Sequence, residues 1–235
     1  KNQELQDKNL FLIGLIGWKQ LNFKLKGKLQ LLSGKRIESP LSQKTRPTSS
    51  KVREAIVNIL WNKLEEASWL DLCSGCGAMA CEVLQQGVER ILAIEKIRET
   101  AKICKKNLID VSNTIDHSIH VEVICYELIS FLKKGPKNKK IEFIKDNPSS
   151  KRQFDLIFLD PPYKSGIYEL AQELLLSKGW VKESTILICE CSSKSMPRIH
   201  NGWKLMKEKC YGNTSVLFLT PNQALNYFDD TDSKH

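Results

Sequence analysis

The stretch FLDPPYKSG, residues 158–166, combines reactive side chains with a backbone that cannot bend freely. Asp160 follows the apolar run FDLIFL, and Pro161, Pro162 and Tyr163 come directly after it. Two consecutive prolines can neither continue a strand ladder nor enter a helix interior, and each keeps the preceding residue extended. We therefore predict a rigid corner at the end of a strand, which presents the Asp160 carboxylate, the Pro161 carbonyl and the Tyr163 ring.

Such a corner suits the exocyclic amine of a nucleobase, whose nitrogen is a poor nucleophile because its lone pair is delocalised into the ring. The Asp160 carboxylate and the Pro161 carbonyl could accept its two N–H bonds and draw the nitrogen toward tetrahedral geometry. The ring of Tyr163 could stack on the base, which must first leave any structured region around it. The pattern favours transfer of a methyl group to the amine through positioning and electrostatics.

A second candidate site lies upstream, in the segment LDLCSGCGAMA at residues 70–80. Asp71 ends a short apolar strand, and Ser74, Gly75 and Gly77 form a loop that opens a helix. Glycines let such a loop turn tightly and approach a nucleotide closely. We expect all four residues to line a cofactor site.

Two further acids follow the next predicted strands. Glu95 comes 20 residues after Gly75, where a carboxylate can accept both hydroxyls of a ribose. Glu127 could accept from an adenine amine, or it could be an acid favoured by the dipole at a helix N-terminus. The loop alone does not distinguish NAD from S-adenosylmethionine (SAM). Asp71 favours SAM, since an acid balances its cationic amino-acid end but would repel a pyrophosphate.

Apolar runs typical of strands alternate with helical segments from Trp69 onward. The seven runs are WLDL, RILAIE, IHVEVIC, FDLIFL, STILICE, WKLMKEKCYG and TSVLFLT. This alternation predicts an open, mainly parallel sheet with helices on both faces and an antiparallel last strand. The FDLIFL strand is expected beside WLDL, which would bring Asp160 next to the glycine loop.

The amino-terminal part of the chain is basic. Residues 1–60 hold 12 Lys and Arg against 4 Asp and Glu, a balance of +8, whereas the whole chain of 235 residues has a net charge of +9. This asymmetry favours a surface for a polyanion over one that only confers solubility. Within it, LQLLSGKRIESP at 29–40 predicts a hairpin around Ser33-Gly34, and Thr48 or Ser49 can cap a following helix.

The eight cysteines lie mostly in apolar runs, so we expect buried, reduced thiols rather than disulfides. Cys73 and Cys76 have the spacing of a zinc or redox pair, but no CxxC or HxxxH partner accompanies them, and no metal site is predicted. No apolar run approaches the ~18 residues that a membrane helix requires.

Several motifs occur in an order that resembles a known family. They are TRPT (45–48), KVREAIVNIL (51–60), LDLCSGCGA (70–78), AIE (93–95) and LDPPY (159–163). This order resembles the RsmD family, 16S rRNA (guanine-N2)-methyltransferases that use SAM, over roughly residues 29–220. Many amino-methyltransferases share the glycine loop and the DPPY corner, whereas TRPTSSKVRE is what indicates this family.

The resemblance implies a Rossmann-like class I methyltransferase fold, in which a small amino-terminal hairpin precedes a seven-stranded sheet. It implies that the residues from Asp160 to Tyr163 form the catalytic motif. It also implies a cofactor site lined by Asp71, Ser74, Gly75, Gly77, Glu95 and Glu127. The residues expected to contact the substrate are Arg46, Thr48, Lys35 and Arg36.

Four regions are expected. Residues 1–45 form a basic, RNA-contacting extension with the hairpin, and 46–222 form the SAM-dependent methyltransferase domain. A basic loop insertion occupies 133–152, and a disordered tail 223–235. The expected partner is ribosomal RNA or the assembling small subunit, bound by a monomer in the cytoplasm without a membrane.

The sequence leaves three alternatives open. The same corner could methylate N6 of adenine in RNA or DNA, because it accepts either amine. An NAD-dependent dehydrogenase would share the glycine loop, although Asp71 and the proline corner argue against it. An RNA-binding assembly factor without catalysis would keep the basic surface, although the intact Asp160 and glycines argue against it.

Overall fold

A computed structural model of the protein describes residues 26–40, 48–116, 118–136, 153–162 and 166–222. The predicted extension up to residue 25, Arg46, Tyr163, the larger part of the basic insertion and the carboxy-terminal tail lie outside the described residues. No helix within the described ranges is long and apolar enough to cross a membrane.

The described part begins with the predicted hairpin. Strand β1 (Lys26–Gln30) pairs antiparallel with β2 (Arg36–Pro40), with Leu29 opposite Ile37. Gly34 has φ of +85°, a left-handed conformation that favours glycine at the turn. The side chains of Leu31 and Ile37 are buried in the core of the domain, so the hairpin packs on the body of the protein.

The main sheet has seven strands in the order β5-β4-β3-β6-β7-β9-β8. In chain order they are β3 (Ser68–Asp71), β4 (Arg90–Glu95), β5 (His120–Cys125), β6 (Phe154–Leu159), β7 (Val181–Ser192), β8 (Trp203–Tyr211) and β9 (Thr214–Pro221). Strands β3 to β7 pair in parallel, and β9 runs antiparallel to both of its neighbours. The predicted fold class and the predicted adjacency of β6 and β3 are both confirmed.

Among the described residues, five α-helices precede or connect these strands. They are α1 (Ser50–Leu60), α2 (Ala78–Leu84), α3 (Arg98–Ser112), α4 (Leu128–Lys133) and α5 (Tyr168–Ser177). The hydroxyl of Ser49 accepts from the Val52 N–H and caps α1, so Ser49 is the one of the two predicted caps that the structure shows. A short 3-10 turn at Trp61–Lys63 follows α1.

The central strands β3, β4 and β6 are buried on both faces of the sheet, so they carry apolar side chains at successive positions. Along β3, Trp69 packs in the layer with α1, α2, α3 and the hairpin, whereas Leu70 packs in the layer with α4 and α5. On β6, Phe158 packs in the same layer as Trp69, and Ile157 packs in the same layer as Leu70. This alternation follows the two-residue period of a strand and leaves the carboxyl ends of the strands as the place for a site.

The strand order reverses direction at β3, because β4 lies on one side of it and β6 on the other. In parallel sheets the connections on either side of such a point diverge and open a crevice. The glycine loop after β3 and the corner after β6 both lie at this crevice, since Asp71 pairs with Phe158.

Candidate active site

The loop after β3 folds around two glycines with left-handed backbone. Gly75 has φ of +53° and Gly77 has φ of +79°. The Gly77 N–H donates to the Ser74 carbonyl at 2.7 Å, and the Ser74 N–H donates to the Ile94 carbonyl at 3.0 Å. The Ser74 hydroxyl also donates to the Ile94 carbonyl and is buried, so Ser74 fastens the loop to β4.

The two glycines serve different purposes. A Cβ on Gly77 would lie 2.9 Å from the Cys104 Sγ of α3, so Gly77 permits close packing of the loop on that helix. A Cβ on Gly75 would meet nothing within 4 Å. The space beside Gly75 is therefore open on the side where a nucleotide would approach the backbone.

Asp71 is a buried acid at the end of β3. Neither carboxylate oxygen has a hydrogen-bond partner, and the side chain is 1% exposed. Burial raises the pKa of Asp71 to about 8, and the nearby N–H groups of Cys73 and Trp69 offset this only in part. An acid in this state is suited to a cationic ligand, because the cation would stabilise the charge that burial disfavours.

Glu95 is held by backbone donors at the end of β4. Its Oε2 accepts from the Gly75 N–H at 2.9 Å and its Oε1 from the Ile97 N–H at 2.8 Å. Burial raises the pKa of Glu95, although these N–H groups act in the opposite direction. Both oxygens are thus oriented beside the glycine loop and retain lone pairs for ribose hydroxyls.

Glu127 caps a helix in the described structure. Its two oxygens accept from the N–H groups of Ile129 and Ser130, at 3.0 and 2.7 Å. Burial alone would raise the pKa of Glu127, but these two N–H donors outweigh it and the net shift is downward. The cap is the alternative that the sequence left open, and a contact between Glu127 and adenine stays a prediction.

The corner after β6 places Asp160 at the crevice. The Thr48 hydroxyl donates to Asp160 Oδ2 at 3.2 Å. Burial raises the pKa of Asp160 well above its usual range, nearby Glu190 raises it further, and the Thr48 hydrogen bond lowers it. Since Leu159 pairs with Cys189, Asp160 and Glu190 follow at adjacent positions on neighbouring parallel strands.

Two residues that sequence reasoning missed brace this corner. The Tyr168 hydroxyl, on the first turn of α5, donates to the Glu190 carbonyl at 2.6 Å and lies 3.4 Å from the Pro161 carbonyl. In the sequence, Tyr168 occupies what looks like an ordinary apolar position of a helix, so no pattern marks it as a functional residue. Glu190 did carry a signal, because a buried acid within the apolar run ILICEC is unusual.

The Cys73 thiol shows how closely the candidate residues are gathered. Burial raises the pKa of Cys73, and the charges of surrounding carboxylates raise it further. These carboxylates are Asp71, Asp160, Glu95 and Glu127. The structure therefore brings together one predicted catalytic acid and three predicted cofactor-binding acids around a single thiol.

The predicted substrate contacts are distributed differently. Thr48 contacts Asp160 rather than open solvent, and Lys35 Nζ donates to the Asp110 carbonyl at 2.6 Å and to Thr114 Oγ1 at 3.3 Å. Arg36 is exposed on the hairpin. The roles of these residues toward a substrate stay predictions, as do those of Arg46 and Tyr163, which the structure does not describe.

The chemistry of these groups fits SAM. Asp71 offers a buried acid without a hydrogen-bond partner for a cationic amino-acid end, and Glu95 offers two oriented oxygens for a ribose. Gly75 leaves room for close approach to the backbone. Within the ranges that the structure describes, no three His, Cys, Asp or Glu side chains are placed so that they could hold one metal ion, and all eight cysteines are free thiols.

The chain is similar to several known proteins. A family model described as "Conserved hypothetical protein 95" matches residues 29–220. The ribosomal RNA small subunit methyltransferase D of Haemophilus influenzae is 28% identical over 195 residues, which cover 81% of this chain and 92% of that protein. The protein of the same name from Buchnera aphidicola subsp. Baizongia pistaciae is 30% identical over 188 residues, covering 77% and 86%.

A solved structure shows the same fold. The putative methyltransferase yhhF from Escherichia coli superposes with a TM-score of 0.66 at 24% identity. The match covers 84% of this chain and all of that one, so the architecture is shared from end to end of the neighbour.

Proposed function

Because the chain belongs to the RsmD family of SAM-dependent methyltransferases, we propose that it methylates the exocyclic N2 amine of a guanine in small-subunit ribosomal RNA. The names of its relatives support ribosomal RNA as the substrate, and the resemblance carried by TRPTSSKVRE supports N2 of guanine. We propose that it acts as a monomer in the cytoplasm on naked RNA or on the assembling subunit. Family membership sets aside the dehydrogenase alternative.

The observation that carries the proposal is the position of Asp160. It lies at the crevice beside Asp71 and close to the carboxylates around Cys73, so one acceptor for an amine stands next to the candidate cofactor site. Thr48 occupies Oδ2, which leaves Oδ1 to accept one N–H of the amine. The Pro161 carbonyl is the acceptor for the second N–H, and the Tyr163 ring would stack on the base.

SAM, when bound, supplies a methyl group on a positively charged sulfur, and that charge disappears on transfer. The chain orients the amine, since two acceptors that hold both N–H bonds direct the nitrogen lone pair toward the cofactor site. As the nitrogen forms its bond to carbon it becomes positively charged, and it must then lose one proton. Asp160 accepts that proton, because burial and Glu190 make it more basic than an exposed acid.

The test offers labelled SAM with naked ribosomal RNA, isolated small subunits and DNA, and then identifies the methylated nucleoside. We expect N2-methylguanosine from RNA or subunits and no label in DNA, with Asp160→Ala as the inactive control. Recovery of N6-methyladenosine would overturn the guanine assignment in favour of adenine. RNA binding without label would instead support an assembly factor.

The basic amino-terminal region gives the proposal a second consequence. If its Lys and Arg residues neutralise phosphates, affinity for ribosomal RNA should fall steeply with salt. Binding measured from low to physiological salt should show a strong negative slope, and Arg36→Ala on the exposed hairpin should reduce that slope by about one unit. An RNA affinity that salt does not change would rule out this contact.

A further inference from the structure

Arg53 of α1 is buried and makes hydrogen bonds with three of its nitrogens. Its side chain is 3% exposed, and its Nε donates to Glu82 Oε1 on α2 at 2.8 Å. Its Nη1 donates to the Thr48 carbonyl at 2.7 Å, and its Nη2 donates to the Gln30 carbonyl at 2.8 Å. One guanidinium therefore joins the hairpin, the residue that contacts Asp160 and the helix that follows the glycine loop.

Glu82 completes this connection from the other side. Both of its oxygens accept from the Leu32 N–H, at 3.1 and 3.2 Å, and its side chain is 2% exposed. The pair thus binds two backbone groups of the hairpin, the Gln30 carbonyl through Arg53 and the Leu32 N–H through Glu82. A buried ion pair is costly unless its remaining polar atoms are also bonded, and these are bonded to the hairpin and to Thr48.

The connection ends at the candidate catalytic acid. Arg53 fixes the backbone of Thr48, and the Thr48 hydroxyl donates to Asp160 Oδ2. A planar fork of N–H groups holds three partners at fixed angles, which lysine cannot do with one ammonium group. The orientation of the Thr48 hydroxyl therefore depends on a residue that is itself held by the hairpin.

We propose that Arg53 is a positioning residue for methyl transfer, which aligns Thr48 on Asp160 when the hairpin is docked. This inference rests on the proposed function, because it needs a methyl acceptor for its readout. It adds a role for the hairpin, which carries the exposed Arg36 proposed to contact RNA. Docking of the hairpin would help to orient the corner that holds Asp160. A series of hydrogen bonds leads from the hairpin through Glu82 and Arg53 to Thr48 and Asp160.

The pKa of Asp160 offers a test of this proposal, because a general loss of stability would not shift the acid limb of the pH–rate profile. Glu190 of β7 and Asp71 of β3 face Asp160, and both raise the pKa of its carboxyl, as burial does. The Thr48 hydroxyl lowers that pKa. Losing its alignment should therefore raise the pKa of Asp160 and move the acid limb of the pH–rate profile to higher pH.

The experiment compares Thr48→Val, Arg53→Lys and the double variant, using the full chain with ribosomal RNA. We expect Thr48→Val to lower kcat about tenfold at neutral pH, the loss expected for one hydrogen bond to a charged group. Arg53→Lys should lower kcat in the same direction and shift the acid limb upward, with little change in KM for SAM. The double variant should be no worse than the more affected single variant, because both act through one hydrogen bond.

Thr185→Val is the matched control. Thr185 is equally a buried threonine, and its hydroxyl donates to the Phe154 carbonyl at 2.7 Å at the opposite end of the sheet. We expect this variant to lose stability without any shift of the acid limb. If Arg53→Lys does not fold, Glu82→Gln tests the same route, since it keeps the shape but loses the charge that holds Arg53.

Two results would overturn the proposal. One is an acid limb that stays in place in folded Arg53→Lys or Glu82→Gln, and the other is a double variant whose losses in kcat multiply. Wild-type protein that methylates no ribosomal RNA would contradict the proposed function instead, so the two failures are distinguishable.

Discussion

Thr48 and Asp160 are 112 positions apart in the chain, and one hydrogen bond of 3.2 Å joins them. This bond occupies Asp160 Oδ2, and Oδ1 is the oxygen that we propose for the substrate amine. It connects the segment before α1 with the corner after β6 and gives the corner a fixed orientation.

Replacing Asp160 should separate catalysis from cofactor binding. Asp160→Ala should lower kcat about 100- to 1000-fold, the range for removing one preorganised group that stabilises a transition state. Asp160→Asn should lose less, because the amide oxygen still accepts an N–H. Single-turnover rates with labelled SAM, alongside SAM affinity by calorimetry, provide the measurement. An Asp160→Ala protein with wild-type rates would exclude the proposed mechanism.

Protonation of Asp71 should depend on the cofactor. With a pKa near 8, the ligand-free carboxyl is largely protonated at neutral pH, and a cationic amino-acid end should displace that proton. SAM affinity should therefore rise with pH up to about 8 and then level off. Calorimetry of SAM binding in buffers of different ionisation enthalpy gives the number of protons released. We expect Asp71→Asn to release about one proton fewer than wild type.

The same acid should shape the stability of the ligand-free protein. Its pKa is raised from 3.8 in the unfolded chain to about 8 in the folded protein, so the folded state binds more protons between these values. Stability from this group is present below pH 3.8 and is lost as pH rises to about 8. Asp71→Asn should flatten that decline in denaturant titrations from pH 5 to pH 8. An unchanged pH dependence would show that Asp71 is charged in the free protein.

The glycines of the loop should separate folding from binding. Gly75→Ala places a residue with a side chain at positive φ, which costs about 1–2 kcal/mol, and it fills open space beside the candidate nucleotide site. Gly179→Ala has a comparable φ of +76° and equal room, but lies between α5 and β7. Both variants should lose similar stability, whereas only Gly75→Ala should weaken SAM binding. Equal SAM affinities would contradict the assigned role of Gly75.

Gly77→Ala should behave differently from both, because its Cβ would press on Cys104 of α3 as well as strain the backbone. We expect a larger loss of stability than for Gly75→Ala, measured by thermal unfolding without ligand. The added variant Cys104→Ala should recover part of this loss by removing the sulfur atom. No recovery would mean that backbone strain alone explains the effect.

Tyr168 should matter for rate through the corner that it braces. Tyr168→Phe removes the hydroxyl bonded to the Glu190 carbonyl and near the Pro161 carbonyl, while the ring stays in the core. A lost neutral hydrogen bond of about 0.5–1.5 kcal/mol predicts a two- to tenfold lower kcat. Tyr211→Phe on β8 is the control for loss of a tyrosine hydroxyl. Equal rates for both variants would show that the Tyr168 hydroxyl does not position the corner for catalysis.

Much of the architecture could be predicted from the sequence, because strand and helix periods alternate clearly and glycines mark the turns. The order of strands at Asp71 and Asp160 followed from the rule for parallel crossovers and was confirmed. The family and the cofactor were also predicted correctly, from motifs whose spacing is local. All of these features are set by residues near one another in the chain or by general packing rules.

Contacts between distant side chains could not be predicted in the same way. Nothing in the sequence indicates that Arg53 bonds to Gln30 and Thr48, or that Tyr168 reaches Glu190, because such pairs exist only once the layers have packed. Glu127 shows that one sequence pattern can also fit two different roles. An acid before a helix is equally typical of a cap and of a ligand contact, and only the geometry reveals the cap.

The anchoring of the hairpin also bears on how the chain folds during synthesis. Asn107 of α3 accepts from the Glu38 N–H at 2.9 Å and donates to the Glu38 carbonyl at 2.8 Å, 69 positions later in the chain. The ribosome thus releases the hairpin well before the helix that secures it, and the strand that carries Asp160 emerges later still. A nascent chain therefore exposes its basic hairpin before Asn107 can anchor it, and the strand that leads to Asp160 is made only after this anchor.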